Sequence, residues 1–291
     1  MLAAAAIVTP AAGAVQAKTP GPQAASLVES PNSTAVSTQP LVDAQAKVDA
    51  KQFLNARRIL NTALSAGNLS SQDTSAAKEL LNTINRTVVF SPQRFSTDEH
   101  ADSYVVKSGD RLAKIAAQNE VATELLMRIN NIADARRLRA GQTIKLLKGP
   151  FHAVVSKSKF TLEIFLGDPT SKSAVYITSF EVGLGKDDAT PKGTWMVQPQ
   201  SKLKNPAYYS PRGEGVISAD DPKNPLGEYW IGLEGIDGEA IGKKSYGIHG
   251  TIEPESIGKM ESLGCIRLKN QDVEQVYEML VEGKSTVVVT D

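Results

Sequence analysis

The sequence predicts a multidomain α+β protein whose parts differ in their hydrophobic patterns. Apolar residues recur at helical spacing between residues 41 and 88, and a strand–helix–helix–strand pattern occupies residues 103–148. From Gly149 onward, polar and apolar residues alternate with a period of two. With 291 residues, 41% of them hydrophobic, the chain can bury a sizeable core. We therefore expect a short helical segment, a βααβ module and a mostly-β C-terminal domain.

Charge and cysteine content exclude several classes of protein. The chain has 32 basic and 32 acidic residues, but residues 1–148 hold 17 basic and 12 acidic ones, which suggests two different modules. Because the charges balance over the whole chain, there is no strong positive electrostatic field to attract nucleic acid, and nucleic acid is not an expected partner. A single cysteine excludes a disulfide within the chain and a multi-thiolate metal site, and we expect no metal.

Residues 1–40 predict a signal-like segment followed by a linker. Residues 2–15 are apolar, uncharged and too few to span a bilayer, and Val15-Gln16-Ala17 resembles a signal-peptidase site, although no basic residue precedes Lys18. Prolines, serines and alanines dominate residues 18–40, which is typical of an extended linker. We expect export, and both cleavage of this segment and its retention as a membrane anchor are compatible with the sequence.

Residues 41–95 predict two or three short helices. Gly67 can end one helix, and Ser70 or Ser71 can cap the next, which runs to about Val88. One such hairpin cannot bury both of its faces, so it should pack against a neighbour. A spacer and a docking module are both open interpretations.

Residues 103–148 predict a compact βααβ module. Short strand patterns at 104–107 and 143–146 enclose two helical stretches, with Asp110 and Thr123 placed to cap them. This stretch resembles the LysM family at Tyr104, Val106, Gly109, Asp110, Leu112, Ile115, Ala116, Leu126, Asn130, Gly141, Gln142 and Ile144. LysM modules bind N-acetylglucosamine-containing glycans, in bacteria chiefly peptidoglycan. The resemblance implies glycan contacts from Gly109, Asp110, Arg111, Leu112, Asn131 and Ile132, most of which could alternatively serve the fold as cap, core and turn residues.

The C-terminal domain, residues 150–291, reads as several short strands with one late helix. Strand patterns include 161–166, 175–177, 180–182, 193–197 and 229–233. Asn270 can cap the helix, Gly283 can end it, and residues 285–290 form a closing strand.

The single cysteine has one plausible histidine partner in this domain. Free cysteine is mostly a thiol at neutral pH, so a nucleophilic cysteine needs a nearby base or cation. His249 lies sixteen residues before Cys265, and glycines flank both residues, which permits close approach of backbone and substrate. His100 and His152 lack this setting, and we expect them to be packed or exposed without a catalytic role. An inert, buried Cys265 is the alternative that spacing alone leaves open.

Four sequence blocks in this domain resemble the YkuD-type L,D-transpeptidase catalytic domain. They are Thr190–Trp195, Asn224–Gly227, His249-Gly250-Thr251 and Ser262-Leu263-Gly264-Cys265-Ile266-Arg267. Leu263 stands where many members carry a second histidine. The resemblance implies that Cys265 is the nucleophile and that His249 accepts its proton, giving a thiolate–imidazolium pair, while the Gly250 carbonyl orients the ring.

The same resemblance implies roles for the surrounding residues. Backbone N–H groups at Gly264 and Cys265 would stabilise the oxyanion, and Ser262 would orient the loop or the histidine. Arg267 and Tyr246 would contact substrate, with a structural ion pair as the alternative for Arg267. No cofactor is needed.

The implied activity is a cysteine-dependent acyl transfer between stem peptides of peptidoglycan in the periplasm or cell envelope. The cysteine attacks a stem tetrapeptide, D-Ala leaves, and an amine acceptor resolves the thioester into a 3→3 cross-link, while the LysM module binds the glycan strands. Alternatives are an L,D-carboxypeptidase that uses water as the acceptor and a non-enzymatic peptidoglycan-binding wall protein.

Overall fold

A computed structural model describes residues 38–210, 213 and 215–291. The signal-like segment and nearly all of the linker predicted for residues 1–40 lie outside these described residues. None of the helices among the described residues combines the length and the apolar character that crossing a membrane requires.

The described residues form six α-helices and fourteen strands. The helices are α1 (Gln39–Asp49), α2 (Phe53–Ala66), α3 (Ser71–Val88), α4 (Leu112–Gln118), α5 (Thr123–Ile129) and α6 (Asn270–Met279). The strands of the first half are β1 (Ala101–Val105), β2 (Thr143–Leu147), β3 (Phe151–Ser156), β4 (Thr161–Leu166), β5 (Val175–Glu181), β6 (Leu184–Gly185) and β7 (Gly193–Lys204). Those of the second half are β8 (Tyr208–Tyr209), β9 (Val216–Ile217), β10 (Tyr229–Gly235), β11 (Tyr246–His249), β12 (Met260–Ser262), β13 (Ile266–Arg267) and β14 (Thr286–Thr290).

An eight-stranded sheet organises the C-terminal domain. Its strand order is β13-β11-β10-β7-β14-β3-β4-β5, and all neighbours are antiparallel except the pairs β13–β11 and β14–β3. Alternating side chains of β3 and β4 are buried, as the period of two predicted. The fold is therefore the predicted combination of helices, a βααβ module (β1, α4, α5, β2) and a mostly-β domain.

The N-terminal helices cover the edge of this sheet. Strand β5 lies at the end of the sheet, and its Tyr176 N–H donates to Asn61 Oδ1 of α2 at 2.7 Å. The Nδ2 of Asn85 in α3 donates to the carbonyls of Tyr176 and Ile177 at 3.0 and 2.9 Å. Two asparagines thus take the hydrogen bonds that a further strand would make, which protects an otherwise open edge. The expected packing of these helices against a neighbour is thus observed, and the choice between a spacer and a docking module stays open.

Removing the Asn85 carboxamide should destabilise the protein. An Asn85→Ala variant leaves two carbonyls of β5 without this partner, at a site where Asn85 is fully buried, and we expect a loss of about 2 kcal/mol. Urea unfolding followed by circular dichroism measures it. Thr83→Ala, at an exposed position of the same helix, is the matched control and should stay within about 0.5 kcal/mol of the native chain. Equal stability of the two variants would contradict a stabilising role for this contact.

The βααβ module contacts both of its neighbours. The ammonium of Lys145 on β2 is buried and donates to backbone carbonyls at and just beyond the end of α3, including that of Ser91 at 2.9 Å. Burial lowers the pKa of Lys145 to about 8. Ion pairs of 2.7 Å join Arg128 to Glu278 and Lys284 to Glu120, linking the module to the C-terminal domain.

Four helix ends differ from the predictions. The predicted caps Asp110, Thr123 and Asn270 are not the capping residues, since the helices begin after Arg111, Ala122 and Lys269. The last helix ends at Met279 rather than near Gly283. By contrast, Ser70 caps α3 through the Asp73 N–H, and Gly67 ends α2 with a positive φ of 65°, as predicted.

Candidate active site

His249 and Cys265 lie at the ends of two strands that pair with each other. Strand β11 ends at His249, and β13 begins directly after Cys265; the two strands pair in parallel, with Ile248 opposite Ile266. This register puts Cys265 beside Gly247, whose backbone N–H donates to the thiol. The pair selected from sequence spacing therefore lies within one short strand pair at the edge of the sheet.

The imidazole of His249 is held in one orientation. Its Nδ1 lies 2.6 Å from the carbonyl oxygen of Gly250, so Nδ1 carries the proton and Nε2 is left as the basic nitrogen. The ring is buried and stacks on the indole of Trp230, with centroids 5.7 Å apart and planes 20° apart. The Gly250 carbonyl thus makes the ring contact on which the orienting role implied by the family resemblance depends.

Burial favours the neutral forms of both His249 and Cys265. Burial lowers the pKa of His249 to about 4 and raises the pKa of the Cys265 thiol to about 11. The Gly250 carbonyl and the Gly247 N–H oppose these shifts without reversing them. Burial therefore opposes the thiolate–imidazolium pair that the family resemblance implies, because it penalises both charged forms.

A network of short hydrogen bonds fixes the loop before the cysteine. Ser262 Oγ donates to the Cys265 carbonyl at 2.7 Å and accepts from the Gly264 N–H at 3.0 Å. The buried hydroxyl of Thr190 donates to the Gly264 carbonyl at 2.9 Å. The Gly264 amide thus donates to Ser262, so in this structure it is not free for the oxyanion role that the resemblance implies.

Loss of the Ser262 hydroxyl should slow acylation of the Cys265 thiol. A Ser262→Ala variant removes both bonds that fix the backbone around Cys265, and small misplacement of a nucleophile is costly, so we expect a roughly 10- to 100-fold slower acylation. Intact-protein mass spectrometry at timed intervals measures the acylated fraction. Glu261→Ala changes the exposed neighbour on the same strand and should react at the native rate. Indistinguishable rates for the two variants would contradict the role given to Ser262.

Arg267 and Tyr246 both lie close to His249 and Cys265. Arg267 Nη1 donates to Glu253 Oε2 at 2.9 Å, and its charge lowers the pKa of both His249 and Cys265. The ring of Tyr246 packs on Trp195, with centroids 4.9 Å apart, and a Cβ added to Gly264 would be 2.7 Å from it. The ion pair is the alternative considered for Arg267, and contact of either residue with substrate remains a prediction. Leu263 is exposed.

The residues predicted to contact glycan divide into packed and exposed groups. Leu112 is 1% exposed and belongs to the core, so it cannot contact a ligand, which corrects its assignment. Asp110 binds within its own turn, accepting from Tyr104 Oη and the Lys107 N–H at 2.8 Å each. Arg111 and Asn131 are exposed, Ile132 is half-buried, and Gly109 is exposed with a φ of 84°. Arg111 and Asn131 thus remain the best candidates for polar glycan contacts.

Two residues near His249 carry contacts that the sequence analysis did not assign to the site. Trp230 stands directly opposite His249 in the β10–β11 pair, and a Cβ at Gly247 would lie 2.6 Å from its ring. Asn270 reaches the loop after His249 from the start of α6. A glycine facing an aromatic residue across two strands is the only signal that could have indicated Trp230.

The other two histidines lie away from Cys265 in the chain and have their own surroundings. His152 Nδ1 contacts Thr286, accepting from its N–H at 3.1 Å, and His100 is half-buried. Among the described residues, no cluster of three or more His, Cys, Asp or Glu side chains could hold a metal ion.

Comparison with known proteins supports a transferase. The family model of the YkuD-type L,D-transpeptidase catalytic domain matches residues 150–289, and the LysM model matches residues 104–146. The Bacillus subtilis (strain 168) protein named L,D-transpeptidase YkuD is 30% identical over 194 residues, which span 64% of this chain and 98% of the relative. L,D-transpeptidase YqjB of the same organism is 37% identical, over 50% of this chain and 74% of the relative. The chain therefore belongs to the L,D-transpeptidase family, with a LysM domain before the catalytic domain.

Solved structures also match, among them one that is named an L,D-transpeptidase. A structure from Mycobacterium tuberculosis H37Rv is 14% identical with a TM-score of 0.37, covering 66% of this chain and 90% of that chain. The Bdellovibrio bacteriovorus protein Bd1075 is 18% identical with a TM-score of 0.36, and the match covers 49% of this chain and 48% of that one. The two domains imply peptidoglycan binding, and a cell-wall family suggests a location outside the cytoplasm.

Proposed function

We propose that this enzyme cross-links peptidoglycan stem peptides through an acyl-enzyme on Cys265. The observation that carries the proposal is the 2.6 Å contact of His249 Nδ1 with the Gly250 carbonyl, because it leaves Nε2 as a free base on the strand paired with the one that follows Cys265, whose thiol is held by Gly247. A neutral thiol and a neutral imidazole support general-base catalysis, in which the proton moves as the sulfur attacks.

In the first step, Cys265 Sγ attacks the carbonyl of the third residue of a stem tetrapeptide, typically diaminopimelate. His249 Nε2 takes the thiol proton. The tetrahedral oxyanion then collapses, the bond to D-Ala breaks, and the imidazolium gives its proton to the leaving amine. Because Ser262 occupies the Gly264 amide, we assign oxyanion stabilisation to the Cys265 amide.

In the second step, an amine of a neighbouring stem attacks the thioester carbonyl. His249 takes the amine proton, and the C–S bond breaks as the new amide forms, so the imidazolium returns a proton to the sulfur. The product is a 3→3 cross-link, and water in place of the amine would give a shortened stem instead.

Tetrapeptide muropeptides test this proposal. Incubation with the native protein should give a protein adduct that carries the donor without its D-Ala, free D-Ala and a cross-linked dimer, all measurable by mass spectrometry. Absence of both the adduct and D-Ala release would overturn the proposal. Tripeptide products without dimers would instead assign the protein as a carboxypeptidase.

We further propose that the LysM domain holds the enzyme on wall glycan through Arg111 and Asn131. Their exposure and their position in the two turns of the module support this assignment. Co-sedimentation with insoluble peptidoglycan should fall for Arg111→Ala and for Asn131→Ala. It should not fall for Arg58→Ala, which removes the same charge as Arg111→Ala from an exposed position of α2. Unchanged sedimentation of both LysM variants would remove the assignment.

We also propose that the protein acts in the periplasm or cell envelope, where its substrate lies. Export by the N-terminal segment, with cleavage or membrane anchoring, is part of this proposal. Fractionation of cells expressing the full chain tests it, because recovery in the cytoplasm alone would contradict it.

A further inference from the structure

The side chain of Asn270 enters the loop that follows His249. Its Oδ1 accepts the Thr251 N–H at 3.1 Å, from the first residue of α6. A Cβ on Gly250 would lie 2.0 Å from this oxygen, and one on Gly227 would lie 2.1 Å from it. Two glycines therefore leave the space that the carboxamide fills.

The group that Asn270 binds belongs to the same peptide unit that orients the catalytic histidine. The Gly250 carbonyl and the Thr251 N–H are the two ends of one planar peptide. Its carbonyl accepts from His249 Nδ1 at 2.6 Å, and its N–H donates to Asn270 Oδ1. Such a chain of hydrogen bonds polarises each member, since donation at one end strengthens acceptance at the other.

Helix capping does not account for this side chain. The N-cap of α6 is Lys269, and no side-chain cap hydrogen bond is found there. The Asn270 residue as a whole is exposed, while its Oδ1 is turned to the Gly250–Thr251 peptide. The side chain of Asn270 is thus used for a tertiary hydrogen bond to the loop after His249 and not for capping its own helix.

We propose that Asn270 is a positioning residue of the transferase reaction, which fixes and polarises the Gly250–Thr251 peptide so that the His249 ring keeps its catalytic orientation. This inference rests on the proposed function, because it concerns the same histidine. Asn270 touches no reacting atom and acts only through this peptide.

Three variants test the inference in the full chain. Asn270→Ala removes the acceptor, and we expect acylation by tetrapeptide muropeptides to slow at least about tenfold with little change in KM. Asn270→Asp keeps an acceptor oxygen at the same place and should stay within about threefold of native. Gln271→Ala changes the exposed neighbour in the same helical turn and should react like the native chain.

The pH profile adds a readout that a purely structural role would not move. The carboxylate of Asn270→Asp strengthens the acceptor chain and adds negative charge near the imidazolium, so the acidic limb of the kcat/KM profile should shift to higher pH. If Asn270→Asp is active but the acidic limb of its pH profile stays where the native limb lies, Asn270 does not act by polarising the peptide.

The outcomes separate this inference from the proposed function. If Asn270→Ala acylates as fast as Gln271→Ala, or if Asn270→Asp is as slow as Asn270→Ala in a folded protein, the positioning role is wrong. If the native protein itself forms no acyl-enzyme, the proposed function fails instead.

Discussion

A Cys265→Ala variant is expected to lose acyl-enzyme formation and D-Ala release completely, at least about 10⁴-fold below the native protein. In the described part of the chain this thiol lies beside Gly247, at the start of a strand paired with the one that ends at His249, and it is the single sulfhydryl of the whole sequence. A serine at this position should be nearly as inactive, because a hydroxyl releases its proton far less readily than a thiol. Intact-protein mass spectrometry after incubation with tetrapeptide muropeptides measures both variants.

The fold should survive this substitution. Cys265 is half-buried and its thiol makes one backbone contact, so the alanine variant should unfold within about 1 kcal/mol of native. A folded alanine variant that still releases D-Ala would show that the nucleophile lies elsewhere and that Cys265 is an inert residue.

A His249→Gln variant is expected to slow acylation about 10²- to 10⁴-fold at pH 7, because it removes the base that takes the thiol proton. Since the thiol has a pKa of about 11, its own ionisation cannot replace this base at pH 7. The variant should therefore recover part of its rate as pH rises toward 11, whereas the native rate should persist until pH falls near 4. Stopped-flow acylation across this range measures both limbs, and His152→Gln is the matched control.

The same substitution should also change acid stability. Native His249 stays neutral down to about pH 4, while the unfolded chain protonates it near 6.5, so the unfolded state binds more protons between these values. Stability is then lost as pH falls from about 6.5 to 4, and His249→Gln should reduce that loss by roughly 3 kcal/mol. An unchanged difference in the free energy of unfolding between pH 7 and pH 4 would contradict the low pKa.

Local patterns predicted the strands better than the helix ends. The alternation in Thr161–Leu166 corresponds to β4 residue for residue, because one of its faces is fully buried. The end of α6 could not be predicted in the same way, since Leu280 and Val281 continue the helical spacing. The chain leaves the helix at Leu280, and the Val281 N–H donates to Ser285 Oγ, a contact that spacing does not reveal.

The candidate site shows the same division between local and tertiary information. Glycines and spacing pointed to His249 and Cys265, since both features lie close in sequence. Trp230 and Asn270 reach His249 through strand pairing and through the packing of a helix, 19 and 21 positions away in the chain. Leu112 and Arg111 both belong to the glycan-contact set that the LysM resemblance implies, and only burial tells the core residue from the surface residue.

The contacts around the LysM domain bear on how far the enzyme can reach. Lys145 joins this domain to the end of α3, and the pairs Arg128–Glu278 and Lys284–Glu120 join it to the catalytic domain. On a flexible tether, the active-site cysteine could reach many positions around a glycan bound to the LysM domain. With a docked LysM domain, the distance and the angle between the bound glycan and the cysteine are fixed. If the LysM domain binds glycan as proposed, the enzyme would measure the gap between neighbouring strands and join only those stems that lie at that separation.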